Sequence, residues 1–530
     1  MQLPMFLLLI SSLLFLPPTQ AQPFITDLQA MLSLRRSIIN AEAALNWTHI
    51  NPCMWPHVAC SCNPSRIIRI QINGHKLSGA LPPDIRNLTN LRHLELQSNR
   101  LAGPLPSFKH MIHLQALHLH DNLFTFIPPD FFAGLHLLSA VSLDNNPFAS
   151  WGIPDSLQDA KKLTQFTASS ANVAGEIPEF FGAFQLLSRL SLSFNSLRGS
   201  IPAALSASPM SSLWLNDQQG NGLSGSIDII ANMTSLVELW LHSNDFSGPL
   251  PDIPTLRSLK DLKLHNNRFT GVVPNSLINL PSLRRVTLAN NLLQGPLPVF
   301  PKMVETDEKQ SMTSNHFCLS SPGNCDPRVE VLLLIAEKLN YPMKLSYDWR
   351  GNDPCDDWAG IRCEGGSITI VNLSRMGFSG RISPDFAMLK SLQILVLSDN
   401  KLTGSVPIDI AGLPRLILVD VRNNLLSGKV PHFDENVEVF TDGNPGIIEE
   451  TNRDSSNSRR CLILMGIVVG SVVCVVCVFL ILWLLRFHFC KRNIEPIGVE
   501  DHSLNAAADV THLQFVVTSS PDSMKIAVAS

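Results

Sequence analysis

The chain has 530 residues, enough for several domains, yet only 16% are charged, the net charge is −4 and the mean hydropathy is slightly positive. A wholly soluble chain of this size carries more charge, so at least one strongly apolar segment is expected. No nucleic-acid partner is expected.

The first apolar segment comes at once. "MFLLLISSLLFL" followed by the small-residue exit "TQA" reads as a secretory signal peptide over residues 1–21, although no Lys or Arg precedes its apolar core. Residues 22–63 then carry "LQAMLSLRRSI", a helical stretch, and "NWTHINPCMWPHVAC", which reads as an amino-terminal cap for a repeat array.

From 64 to 298 the chain repeats itself. "LRHLELQSNRLAGPLP", "LSRLSLSFNSLRGSIP", "LVELWLHSNDFSGPLP" and "LKDLKLHNNRFTGVVP" share one template, with a strand anchor at its fourth position. That anchor recurs at Ile70, Leu94, Leu117, Val141, Phe166, Leu190, Leu213, Leu239, Leu262 and Val286. The pattern resembles the plant-type extracellular leucine-rich repeat. One such repeat cannot bury its leucines alone, so an α/β solenoid is expected, with stacked parallel strands on a concave face. The short amides of Asn99, Asn122, Asn146, Asn195, Asn244, Asn267 and Asn291 suit buried backbone groups where the chain leaves each strand. Ala171 and Gln218 stand where two repeats lack that asparagine.

Inside the repeats lies Gly220-x-Gly222-x-x-Gly225, the spacing of a dinucleotide-binding turn. Read in register, Gly220 and Gly222 belong to a small insertion and Gly225 is the ordinary repeat glycine. The fingerprint is a coincidence, and no cofactor is expected.

Residues 299–367 form a non-repeat island with "CLSSPGNC", a helical "DPRVEVLLLIAEKL" and "WRGNDPCDDWAGIRC", the last resembling the cap at the front of the chain. Three more repeats occupy 368–433, with anchors at Val371, Leu395 and Val419. Two arrays are therefore expected. After a linker over 434–460, Cys461 to Leu485 is an uncharged run of 25 residues, long enough to span a bilayer as a helix, and residues 486–530 form a short cytoplasmic tail. The expected protein is single-pass in the plasma membrane, with its amino terminus outside.

Three close cysteine pairs, Cys53 with Cys60, Cys318 with Cys325 and Cys355 with Cys363, suit disulfides in an oxidising compartment, and Cys62 is left over. Their spacing fits no zinc site, so no metal is expected. Sequons at Asn46, Asn87, Asn232 and Asn372 all fall on the side expected to be extracellular and mark glycosylation.

The island motifs "CDPRVEVLLLIA" and "WRGNDPC", with "ISPDF" in the second block, resemble the plant transmembrane-kinase (TMK-type) receptor-like kinases over about residues 25 to 485. The resemblance implies an extracellular repeat domain, one span, a cytoplasmic serine/threonine kinase and a role in auxin-type signalling. The residues after Leu485 contain no Gly-rich loop, Val-Ala-Ile-Lys strand, His-Arg-Asp loop or Asp-Phe-Gly, so the chain as written is expected to be catalytically inactive. It reads as a receptor or co-receptor for an extracellular protein or peptide. The alternatives are a truncated version of an active receptor kinase and a kinase-less decoy.

Binding candidates come from the concave columns. Trp214 and Trp240 share one column and His242 and His265 the next, with His118 and His120 as an extension that would make binding sensitive to cell-wall pH. Gly466 and Gly470 put small residues on one face of the span, a helix-dimerisation surface for a homodimer or co-receptor.

Overall fold

The computed structural model describes residues 22–62, 65–307 and 314–448. The signal peptide, the span with Gly466 and Gly470, and the tail lie outside the described residues. Among the described residues, no helix is long and apolar enough to cross a membrane.

The described residues begin with the helix Gln22–Ser37, which buries Ala30, Met31 and Leu34. An ion pair inside the cap ties this helix to the first strand. Asp27 is 1% exposed and accepts from Arg66 Nε at 2.9 Å, Arg66 Nη2 at 2.7 Å and the Ile67 amide at 2.9 Å. Such a buried carboxylate is tolerable because every one of these donors is fixed in place. Behind it, Val58–Cys60 runs antiparallel to Ile67–Gln71, Trp47 stacks on Trp55 with ring centroids 4.8 Å apart, and Cys53 is bonded to Cys60.

From Ile67–Gln71 onward the concave sheet is parallel. All ten expected anchors, from Ile70 to Val286, pair with one another in unbroken register, and each is at most 1% exposed. Each buried leucine contributes about 1.5–3 kcal/mol, so the period is written by what must be dry.

The asparagines close the turns. Asn99 Nδ2 donates to the carbonyls of Ile72 (2.7 Å) and Leu96 (2.9 Å), while its Oδ1 accepts from the Leu77 amide at 2.9 Å. Gln218 does the same work in the insertion repeat: Nε2 donates to Leu192 (2.9 Å) and Leu215 (3.0 Å), and Oε1 accepts from the Leu197 amide at 3.0 Å. Ala171 cannot, and there Asn195 Oδ1 accepts from the amides of both Ala171 and Val173.

The other half of each repeat is extended and then coiled. The Gly-x-Φ-Pro segment adds short lateral strands such as Arg100–Pro104 and Asp245–Pro249, and the convex side is mostly five-residue 3-10 turns such as Pro83–Asn87 and Asp228–Asn232. The helical part of the expected α/β solenoid is thus reduced, since a repeat of about 24 residues carrying two strands leaves no length for a full α-helix. Gly220, Gly222 and Gly225 all have positive φ, and Gly225 pairs with Phe246 in a lateral sheet rather than opening a helix.

The period does not stop at Pro298. Glu305–Thr306 adds a further parallel strand against Arg285–Val286, and Asn315 Oδ1 accepts from the Leu293 amide at 3.2 Å, continuing the asparagine ladder. A separate five-stranded sheet starts with the antiparallel pair Ile361–Glu364 and Ser367–Asn372. Its anchors Val371, Leu395 and Val419 are also in register, and it too runs one strand beyond the expected end, to Glu438–Phe440.

The island repeats the cap architecture. Asp326 caps the helix Pro327–Lys338, Trp349 stacks on Trp358 at 5.5 Å, and Cys355 is bonded to Cys363. Even the indole hydrogen bonds correspond: Trp47 donates to Pro56 O and Trp349 to Ala359 O, both at 3.0 Å. This segment also rests on the last coils of the first sheet. Thr270 Oγ1 donates to the Tyr341 carbonyl at 2.8 Å, and Gln294 Nε2 donates to the Trp349 carbonyl at 2.9 Å.

Candidate functional site

Strands Arg189–Ser191, Ser212–Trp214, Glu238–Trp240 and Asp261–Lys263 lie side by side, and their pairing puts Ser191, Trp214, Trp240 and Lys263 in one concave column. Trp214 and Trp240 stack with centroids 4.2 Å apart and planes 6° from parallel. Their outer faces are also covered. The Arg189 guanidinium carbon lies 4.6 Å from the Trp214 ring centroid and Lys263 Nζ lies 3.7 Å from that of Trp240. Cation, ring, ring and cation therefore form one pile, and the tryptophans are half-buried rather than bare as the column alone suggested.

Covering the faces leaves the edges unsatisfied. Both indole N–H groups are shielded from solvent and have no hydrogen-bond partner, as are His242 Nδ1 and one carboxylate oxygen of Asp261. The neighbouring acids are engaged. Glu238 accepts from Ser212 Oγ at 3.1 Å and pairs with Arg189 at 3.9 Å, while Asp261 faces Arg285 at 3.6 Å.

His242 and His265 stack at 4.4 Å, 19° from parallel. His242 Nε2 lies 3.3 Å from Asp217 Oδ2, and His265 Nδ1 lies 2.7 Å from the Thr287 hydroxyl. Burial, together with the neighbouring His265 and against the pull of Asp217, lowers the His242 pKa to about 4. Burial lowers His265 as well. Both imidazoles are therefore held toward the neutral form.

His118 and His120 do not extend the strip. They meet edge-on at 6.2 Å, and coils presenting Ser142, Thr167 and Ser191 separate them from Trp214. His120 Nδ1 is 2.9 Å from Ser142 Oγ, which donates to Asp144 at 2.8 Å. A nucleophilic triad needs the imidazole between hydroxyl and carboxylate, whereas here the hydroxyl is between the other two.

The three expected disulfides are formed and Cys62 is unpaired and exposed. Among the described residues, no group of His, Cys, Asp and Glu is placed to hold a metal. The sequon asparagines are all exposed: Asn46 in the cap, Asn87 and Asn232 at the ends of convex turns, and Asn372 on the first parallel strand of the second sheet.

Arg189, Lys263 and Asp217 were not singled out by sequence reasoning. The signal existed for Lys263, which follows its anchor as the tryptophans follow theirs. Reading columns for aromatic residues alone passed over it.

Family models match the chain in three groups of segments: leucine-rich repeat over residues 105–148, leucine-rich repeat again over 186–207, 258–280 and 391–413, and leucine-rich repeat N-terminal domain over both 25–61 and 325–364. The chain is 41% identical over 374 residues to receptor-like kinase TMK2 of Arabidopsis thaliana, covering 69% of this chain and 42% of that one. It is 38% identical over 371 residues to receptor protein kinase WSS1 of Oryza sativa subsp. japonica, covering 69% and 40%. The chain thus spans about two-fifths of the length of these relatives. Among solved structures, the plant peptide hormone receptor RGFR1 in complex with RGF2 aligns at 25% identity and a TM-score of 0.45, covering 72% of this chain and 58% of that one.

Proposed function

The chain is related to the TMK-type leucine-rich-repeat receptor-like kinases, and from this we propose that it is a single-pass plasma-membrane receptor or co-receptor whose extracellular repeats capture a protein or peptide. In this reading the two sheets are two repeat arrays joined by a capping island, residues 461–485 are the span, and auxin-type signalling follows from the resemblance.

The carrying observation is the tryptophan pair. Two large rings held on a concave sheet, with buried N–H groups lacking acceptors, form a surface that a partner can complete. Glycan placement supports the same face. Glycans on Asn46, Asn87 and Asn232 would occupy the cap and convex side and leave this strip open, whereas one on Asn372 would stand beside the anchor Val371 on the concave side of the second sheet.

The test is to pan the full chain, displayed on cells, against a random-peptide phage library and measure the selected peptides on Trp214→Ala and Trp240→Ala variants. Loss of a central aromatic contact should weaken binding roughly 30-fold, corresponding to about 2 kcal/mol. Unchanged affinity on both variants rejects the strip as the recognition face.

A further inference from the structure

We infer that the tryptophan strip recognises a carboxylate-bearing peptide segment, an inference that rests on the strip being the recognition face. The observation is a pair of adjacent donors without acceptors; His242 Nδ1 and Asp261 Oδ1 in the same strip lack partners as well. Of the six solvent-shielded side-chain atoms without a partner among the described residues, two are the adjacent indole N–H groups of Trp214 and Trp240. An indole nitrogen can only donate, so each lacks an acceptor and nothing else.

Positive charge lies at both ends of the same pile. Lys263 has no carboxylate within ion-pair distance among the described residues, and its ammonium is folded over the Trp240 face at 3.7 Å. Arg189 has Glu238 only at 3.9 Å, and that acid already accepts from Ser212. Two adjacent neutral donors, with an ammonium that has no ion-pair partner among the described residues resting over one of their rings, suit one anionic acceptor. A carboxylate supplies two oxygens for the paired N–H groups and a charge for Lys263, which must swing off the ring to admit it.

The experiment uses the full chain and two random-peptide libraries, one fused through its carboxyl end so that only Asp and Glu side chains carry carboxylates, the other presenting a free carboxyl terminus. Selected peptides are measured on Trp214→Phe/Trp240→Phe, which keeps two stacked rings but removes both N–H groups, and on Lys263→Met, which keeps the apolar stem. The expected result is enrichment of Asp or Glu in the first library, or of terminal binding in the second, with each variant weakening binding about tenfold or more. The library that yields the binders identifies the source of the carboxylate. Peptides that need Trp214 and Trp240 by alanine replacement but show no carboxylate enrichment, and are indifferent to the phenylalanine pair and Lys263→Met, overturn this inference while leaving the recognition face standing. Selection of no peptides, or of peptides indifferent to every strip variant, overturns both.

Discussion

The Lys263 ammonium rests 3.7 Å from the centre of the Trp240 ring, whose other face stacks on Trp214. Lys263 follows its strand anchor Leu262 as Trp240 follows Leu239, so register alone brings cation to ring. A repeat scaffold thereby turns residues some 23 positions apart into one contiguous cluster.

Removing that cation should cost little stability. Lys263→Ala deletes one half-exposed cation–π contact and should lower unfolding free energy by about 0.5–1 kcal/mol in a denaturant titration. A loss several times larger would mean that the lysine also supports the coil beneath it.

The imidazole stack predicts a direction with pH. His242 is held at about 4 in the folded chain against an ordinary value of 6.5, so the unfolded chain binds the extra proton first. Stability contributed by the neutral, folded imidazole is complete above pH 6.5 and is lost as pH falls toward 4. His242→Gln should flatten that part of a melting-temperature profile over the same window. Asp217, Lys263 and His265 face this ring, so the same profile should be repeated with Asp217→Asn, which removes the one neighbour favouring the proton and should extend the loss to lower pH while it still begins at 6.5.

Gln218 should not tolerate an apolar replacement. Gln218→Ala leaves the Leu192 and Leu215 carbonyls and the Leu197 amide without their side-chain partner. Each buried group so orphaned costs roughly 1–3 kcal/mol. Calorimetry should show a clear fall in melting temperature, largely restored by Gln218→Asn if the insertion coil can close on the shorter amide.

Gly271 marks where the island meets the first sheet. Its φ is +76°, and a Cβ there would stand 2.5 Å from the Tyr341 ring. Gly271→Ala should destabilise the protein by about 1–3 kcal/mol through overpacking and left-handed backbone strain. In combination with Tyr341→Ala the two losses should fall short of their sum, since the clash is then gone. Strict additivity would refute the contact.

Much of this architecture was readable from the repeat. Ten anchors, seven asparagines and three disulfides lie where local period and spacing put them, because each coil closes on its neighbour in sequence. Two extra coils were not readable. Thr306 stands at an anchor position without being apolar, and Asn315 comes after it at a longer interval than the template allows, so the leucine pattern fades while the hydrogen-bond ladder continues. The last strand of the second sheet was hidden differently: Val439 is apolar and Asn444 follows at the ordinary interval, but this coil comes 20 residues after Val419 instead of 24.

The sequence by itself determined the solenoid, its register, its caps and the columns in which Trp214, Trp240, His242 and His265 fall. Only the tertiary structure decided that the rings close on each other between Arg189 and Lys263, that their N–H edges are left without acceptors, that burial holds the imidazoles toward the neutral form, and that Tyr341 seats on Gly271. The physical reason is one of range. Period and burial act between neighbouring coils and are written in every repeat, whereas ring stacking, desolvation and the island contact depend on side-chain directions and on segments up to about 70 residues apart, which no repeat template records.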